Sequence, residues 1–113
     1  IAPVLNPPVE QVSASPEIIL QTVSENLKVS IEDLKGTSRR REISFARQVG
    51  MYLMRQHTDL SLPRIGEEFG GKDHTTVLYS CDKISKLQQK DWELSQKLSE
   101  LSDRINIASR AQS

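Results

Sequence analysis

Gly70-Gly71 lies between two runs of apolar residues that keep the spacing of a helix, and this pair constrains the fold more than any other feature of the chain. Ahead of it, Leu62, Ile65, Gly66 and Phe69 fall at i, i+3, i+4 and i+7. Behind it, Val77, Leu78, Cys81, Ile84 and Leu87 line one face and leave Thr75, Tyr79, Asp82, Lys83 and Lys86 on the other. Two amphipathic helices joined by a sharp glycine turn are the layout of a helix-turn-helix, whose second helix presents its N-terminal end to a duplex. Here that end reads Lys72-Asp73-His74-Thr75-Thr76.

The same periodicity runs through most of the chain. Pro3, Pro7, Pro8 and Pro16 crowd the start, and residues 1–14 read as a Pro-rich linker. An opening on this stretch, without Met, is what a piece of a longer protein would show. Ser15-Pro16 is a helix-start signal, and Ile19, Val23 and Leu27 give a first helix over about 16–28. Ser30-Ile31-Glu32-Asp33 has the capping-box form and opens a short helix that stops by Gly36. Thr37 to Glu42 reads as a basic loop. Ile43, Ala46, Val49, Gly50 and Leu53 then mark a helix running to about His57, with Gln48 and Arg55 on an exposed stripe. His57, in the last turn, suits the helix dipole and is expected to be structural.

Asp59-Leu60-Ser61 closes that helix and caps the two-turn helix before the glycines. A final helix over about 91–109 carries Leu94, Leu98, Leu101, Ile105 and Ala108. No segment alternates with period two, so the expectation is an all-α domain of about six helices over residues 15–109, with a tail at 110–113. Leu87, Leu94, Leu101 and Ala108 are spaced by seven and raise a coiled-coil seam as an alternative. The short run and the incomplete charge pattern beside it favour packing onto the domain's own core. Trp92 and Tyr79 are expected to pack or to lie at an interface.

Composition narrows the function classes. At 113 residues and 36% hydrophobic content the chain can bury one small core. A single cysteine, Cys81, excludes an internal disulfide and a cysteine-pair zinc site, and it fits a reducing interior as well as any other compartment. No apolar run reaches the roughly 18 residues of a membrane span, and the first residues lack the layout of a signal peptide, so a cytoplasmic location is expected. Fifteen basic residues balance fifteen acidic ones, but unevenly: between Lys35 and Lys86 there are ten Lys and Arg against six Asp and Glu, and the rest of the chain carries the opposite excess. A phosphate-facing side and an acidic far side produce this split.

The residue types at the helix tip have uses against base edges. Asp73 can cap the helix or accept from a cytosine amine, His74 can donate or accept, and Thr75 can offer its hydroxyl or set its methyl against a thymine methyl. Thr76 suits a phosphate at the positive end of the helix. One helix tip reads few base pairs, and Arg39-Arg40-Arg41 supplies a second foothold, since an arginine-bearing loop fits a narrow A·T-rich minor groove. Arg40, Arg41, Arg47, Gln48, Arg55 and Lys72 are then candidate phosphate ligands. Asp73, His74 and Cys81 miss the spacing of metal ligands and lack a nucleophile or third ligand, so neither a metal site nor an enzyme is expected. The competing class is a helical module whose same surface docks a protein or acidic lipid headgroups, which does not require a basic loop beside a polar helix tip.

Gly70 to Val77, the preceding Ser61-Leu62-Pro63-Arg64-Ile65-Gly66-Glu67-Glu68-Phe69, and Arg47-Gln48 together resemble the C-terminal DNA-binding domain of the bacterial DnaA replication initiators. The similarity spans roughly residues 16–107, and the Gly-Gly-Lys-Asp-His-Thr-Thr-Val run is specific to little else. The resemblance implies recognition of an asymmetric origin box of the TTATNCACA type by a monomer, with Arg39 in the minor groove and Asp73, His74 and Thr75 in the major groove. It also implies phosphate contacts from Arg47, Gln48, Pro63 through its backbone, Lys72 and Thr76. It implies an ATP- and Mg-binding domain elsewhere in the parent protein, with no cofactor in this chain, a nucleoid-associated cytoplasmic location, replication-regulatory partners, and acidic phospholipids as ligands of the linker region. Ser44-Phe45-Ala46-Arg47-Gln48 stands where the family commonly has Ala-Arg-Pro-Arg-Gln, and Asp82 where a basic residue is frequent. Both departures remove positive charge from the expected DNA side.

Overall fold

The computed structural model describes residues 14–111 and forms six helices: α1 (Pro16–Leu27), α2 (Ile31–Lys35), α3 (Arg41–His57), α4 (Leu62–Glu68), α5 (His74–Lys90) and α6 (Trp92–Ala111). No strand occurs among the described residues, in agreement with the all-α expectation. Residues 1–13, and with them nearly all of the expected linker and its lipid contacts, lie outside the described residues. Ala14 belongs to the domain: it is buried, and its N–H donates to the His57 carbonyl at 3.1 Å. At the other end α6 runs through Arg110 and Ala111, which had been expected in the tail.

Serine caps set three of the helix starts. Ser15 accepts from the Ile18 amide at 3.3 Å, Ser30 from Asp33 at 3.1 Å and Ser61 from Arg64 at 3.4 Å. Each satisfies an N–H that has no partner inside its helix. α3 is the central element and packs against each of the other five helices. Its buried stripe contains the expected Ile43, Ala46, Val49, Gly50 and Leu53, together with Met51 and Met54.

Leu94, Leu98, Leu101 and Ile105 of α6 are buried inside the domain, so the residues that would form a coiled-coil seam are already used. On α5 the buried stripe is narrower than expected. Val77, Ser80, Cys81 and Ile84 face inward, whereas Leu78 and Leu87 are 47% and 37% exposed. One residue corresponds to about 100° of helix, which carries Leu78 past the edge of the contact with α3 and α4. Trp92 and Tyr79 are 73% and 62% exposed and do not pack.

The turn between α4 and α5 closes on one carbonyl. Gly66 O accepts from the amides of Phe69 (3.2 Å), Gly71 (3.0 Å) and Lys72 (2.8 Å). Gly70 and Gly71 both take φ +85°, in the left-handed region where a side chain is strained. They differ in surroundings: a Cβ on Gly70 would lie 1.8 Å from the Lys35 carbonyl oxygen, and one on Gly71 would meet nothing within 4 Å. Gly71→Ala is therefore expected to cost about 1 kcal/mol through backbone strain alone, and Gly70→Ala about 3 kcal/mol. Urea unfolding midpoints of the two variants check the order.

His57 ties α3 to α6. Its Nε2 lies 3.0 Å from Ser102 Oγ, and burial lowers its pKa below the ordinary histidine value. The unfolded chain thus takes up the proton at a higher pH than the folded chain does. Stability should fall as pH drops through about 6.5 and level off below the folded pKa. Replacing the ring by His57→Gln should flatten unfolding free energy between about pH 7 and pH 5. Urea titrations across that range measure it, and an unaltered slope in the variant would place the acid sensitivity elsewhere.

Candidate nucleic-acid interface

Asp73 occupies the N-cap position of α5, yet its carboxylate does not close the helix. Oδ2 accepts from the Thr75 hydroxyl at 3.2 Å and Oδ1 lies 3.1 Å from His74 Nδ1. The Thr75 hydrogen bond, and after it His74, hold the Asp73 carboxyl below the usual carboxylate range. The contact with Asp73 places an N–H on His74 Nδ1. Asp73 and His74 side chains are 67% and 57% exposed, and Thr75 is exposed beside them. The three expected base-reading groups of the tip are thus mutually hydrogen-bonded and open to solvent. Thr76 is exposed as well; its N–H donates to Asp73 O at 3.0 Å, so its outward chemistry is that of the hydroxyl.

The basic segment is part loop and part helix. Arg39 and Arg40 precede α3, but Arg41 and Glu42, expected in the loop, form its first turn. Arg40 sits at the N-cap, and no side chain caps this helix. An exposed pair, Arg40 Nη2 to Glu42 at 3.3 Å, adds little. Arg39, Arg41 and Gln48 come together with Phe45 along one groove, whose far wall is Lys83 and Leu87 of α5. Lys83 is not among the residues that the sequence motif marks. Its sequence signal is position: it follows Thr76 by seven residues and so continues the exposed stripe that starts at the tip.

Arg47 does not point outward. It is 9% exposed, and its guanidinium donates to three carbonyls: Nε to Leu34 at 3.1 Å, Nη1 to Ser38 at 3.0 Å and Nη2 to Asp33 at 2.8 Å. The expected phosphate ligand is instead a buried brace beneath the basic loop. Helical phase explains this, because Arg47 stands four residues after Ile43 and three before Gly50, on the buried stripe of α3. Lys72 is half-buried and donates to Gly36 O at 2.6 Å and Phe69 O at 2.8 Å. Burial, and secondly the nearby Arg47 charge, lower its pKa. Arg55 is exposed but lines a second groove, with Leu78, Cys81 and Asp82, apart from the one that holds Arg39 and Gln48. Pro63 is exposed in the first turn of α4. It has no N–H, so a backbone donor at that helix end must come from a neighbour.

A family model described as bacterial DnaA protein helix-turn-helix matches residues 16–84, from the start of α1 into the third turn of α5. The chain belongs to this family. Among curated relatives, it is 91% identical over 113 residues to the chromosomal replication initiator protein DnaA of Rippkaea orientalis, covering all of this chain and 25% of the relative. It is 86% identical over 112 residues to the DnaA of Crocosphaera subtropica, covering 99% of this chain and 25% of the relative. The DnaA of Synechocystis is 71% identical over 111 residues, 98% of this chain and 25% of the relative. The chain therefore spans about a quarter of the length of these relatives.

The matched region of the DnaA family is a helix-turn-helix, a binding unit and not an ATPase. The residues here agree: Gly70-Gly71-Lys72-Asp73 lacks the spacing of a phosphate-binding P-loop. Among the described residues no three His, Cys, Asp or Glu are grouped to hold a metal ion, and no helix is long and apolar enough to cross a membrane. Of the two departures from the common DnaA pattern, Phe45 packs partly on the core while lining the Arg39 groove, where Lys83 supplies positive charge. Asp82 pairs with Lys86 at 3.1 Å. The inward role of Arg47 carries a stability signature, since Arg47→Ala removes the donor to the Leu34 and Ser38 carbonyls, while Asp33 O keeps the Gly36 amide at 3.2 Å, and should cost about 2–4 kcal/mol. Arg40→Ala, on the exposed side of the same loop, should change stability by less than about 0.5 kcal/mol. Denaturant unfolding of both variants separates brace from surface ligand.

Proposed function

We propose that this chain is a sequence-specific double-stranded DNA-binding domain acting in replication initiation, and that it reads an asymmetric origin box of the TTATNCACA type as a monomer. In this reading the α5 tip enters the major groove, where Asp73, His74 and Thr75 meet base edges, and Arg39 enters the adjoining minor groove. Arg40, Arg41, Gln48, Arg55, Thr76 and Lys83 hold phosphates. The observation that carries the reading is the juxtaposition of the exposed polar tip with the root of the basic loop, joined by the contacts of Gly70 with Lys35 and of Lys72 with Gly36. Membership in the DnaA helix-turn-helix family supports the same partner.

Physical chemistry at the start of α3 also favours a polyanion. Three consecutive arginines approach the positive end of a helix that no side chain caps. The helix dipole disfavours cations there, and an arriving phosphate both neutralises the arginines and satisfies the helix end. Such a DNA-bound protein works in the cytoplasm on the nucleoid. Within the longer relatives it would deliver a nucleotide-binding domain to the origin, and replication regulators would meet it there.

Fluorescence titrations of the chain against a box duplex, single-base variants and a scrambled duplex test the reading. His74→Ala and Thr75→Ala should each cost about 1–3 kcal/mol on the box and relax discrimination at particular base pairs. Arg39→Ala should lose most at the A·T-rich end. With about four phosphates engaged, log K against log salt should slope near −4. Equal affinity for box and scramble, or a flat salt dependence, would transfer support to a protein- or lipid-docking module.

A further inference from the structure

Lys72 joins the two parts of the candidate interface. Its ammonium donates to Phe69 O at 2.8 Å, inside the helix-turn-helix turn, and to Gly36 O at 2.6 Å, at the root of the basic loop. At the same seam the Gly70 backbone lies so close to Lys35 O that a Cβ would fall 1.8 Å from it. From below, Arg47 fixes the carbonyls of Asp33, Leu34 and Ser38. Gly36 precedes Arg39 by three residues and Lys72 immediately precedes Asp73. Lys72 is half-buried, and two of its three N–H donors are committed to backbone carbonyls.

We propose that Lys72 is a positioning residue that sets the spacing between the Arg39 loop and the Asp73–His74–Thr75 tip, so that its effect on DNA binding passes through Arg39 and not through a phosphate. This rests on the DNA-binding reading above. Removing the ammonium frees the loop root from the turn while leaving Arg47 to hold the rest of the loop. Arg39 then enters its groove out of register with the tip, and the affinity lost is the part that Arg39 supplied.

The test is a double-mutant cycle on the whole chain, titrated against the box duplex at several salt concentrations. Lys72→Met should weaken box binding about tenfold in the parent and in the His74→Ala background, but less than about twofold in the Arg39→Ala background. The slope of log K against log salt should be unaltered by Lys72→Met. Lys72→Gln, which retains a donor without the charge, should restore most of the Arg39-dependent binding; urea unfolding confirms that each variant is folded. An equal factor in all three backgrounds would overturn the proposal. So would a slope shallower by about 0.9, the mark of one lost phosphate contact, or a Gln variant as weak as the Met variant. If the parent chain itself fails to prefer the box over a scrambled duplex, the DNA-binding reading falls and the positioning role falls with it.

Discussion

The buried Arg47 guanidinium is the interaction on which the arrangement of this domain's basic side depends. The last carbonyls of the five-residue α2 have no partner within the helix, and beyond it the Gly36 amide supplies Asp33 O at 3.2 Å. Arg47 reaches up from α3 and donates to Asp33, Leu34 and Ser38 at once. Three donors in one rigid plane fix three backbone positions relative to one another, which the flexible, single-headed ammonium of a lysine cannot do. The burial of its charge is compensated by those carbonyls and by the neighbouring Asp33. Together with the Lys72–Gly36 hydrogen bond, this brace holds the root of the loop carrying Arg39 and Arg40.

Above the brace the chain departs from what makes an isolated helix stable. α1, α2 and α4 each begin at a capping serine, while α3 begins with arginines and no cap, and α5 begins at an aspartate whose carboxylate is turned to a histidine and a hydroxyl. The two helix starts that forgo capping are the two that border the candidate interface. Departures from local preference are expected where a surface is shaped for a ligand and tolerated because the core is well packed elsewhere. Here the packing that tolerates them is the α3 stripe, in contact with all five other helices.

Much of this was legible in the sequence because it rests on local rules. The serine caps, the glycine turn and the 3.6-residue spacing of apolar positions place six helices to within a residue or two. The exposed Asp73–His74–Thr75 tip follows from the same phase. What local rules missed came from taking residue type over position. Arg47 has the residue type of a surface cation, yet its phase puts it among Ile43, Ala46 and Gly50; Leu78 and Leu87 have the type of core residues, yet they fall at the margins of the buried stripe. Lys72 lies outside any helix, so no periodicity indicates where its ammonium goes; only the fold brings Gly36 to it. The same holds for Lys83, which lines the Arg39 groove from an element far apart in sequence.

The hydrogen bond from the Ala14 amide to the His57 carbonyl determines how the domain can be handled from its N-terminal side. It clamps the entering chain to the last turn of α3, the end remote from Arg41 by roughly 25 Å of helix at 1.5 Å per residue. A load applied at Ala14 is therefore taken up at that clamp and by the Ser15 cap of α1. The arginine loop and the α5 tip lie off this load path. The point where the chain enters the domain and the arginines at the start of α3 therefore stand at opposite ends of one helix.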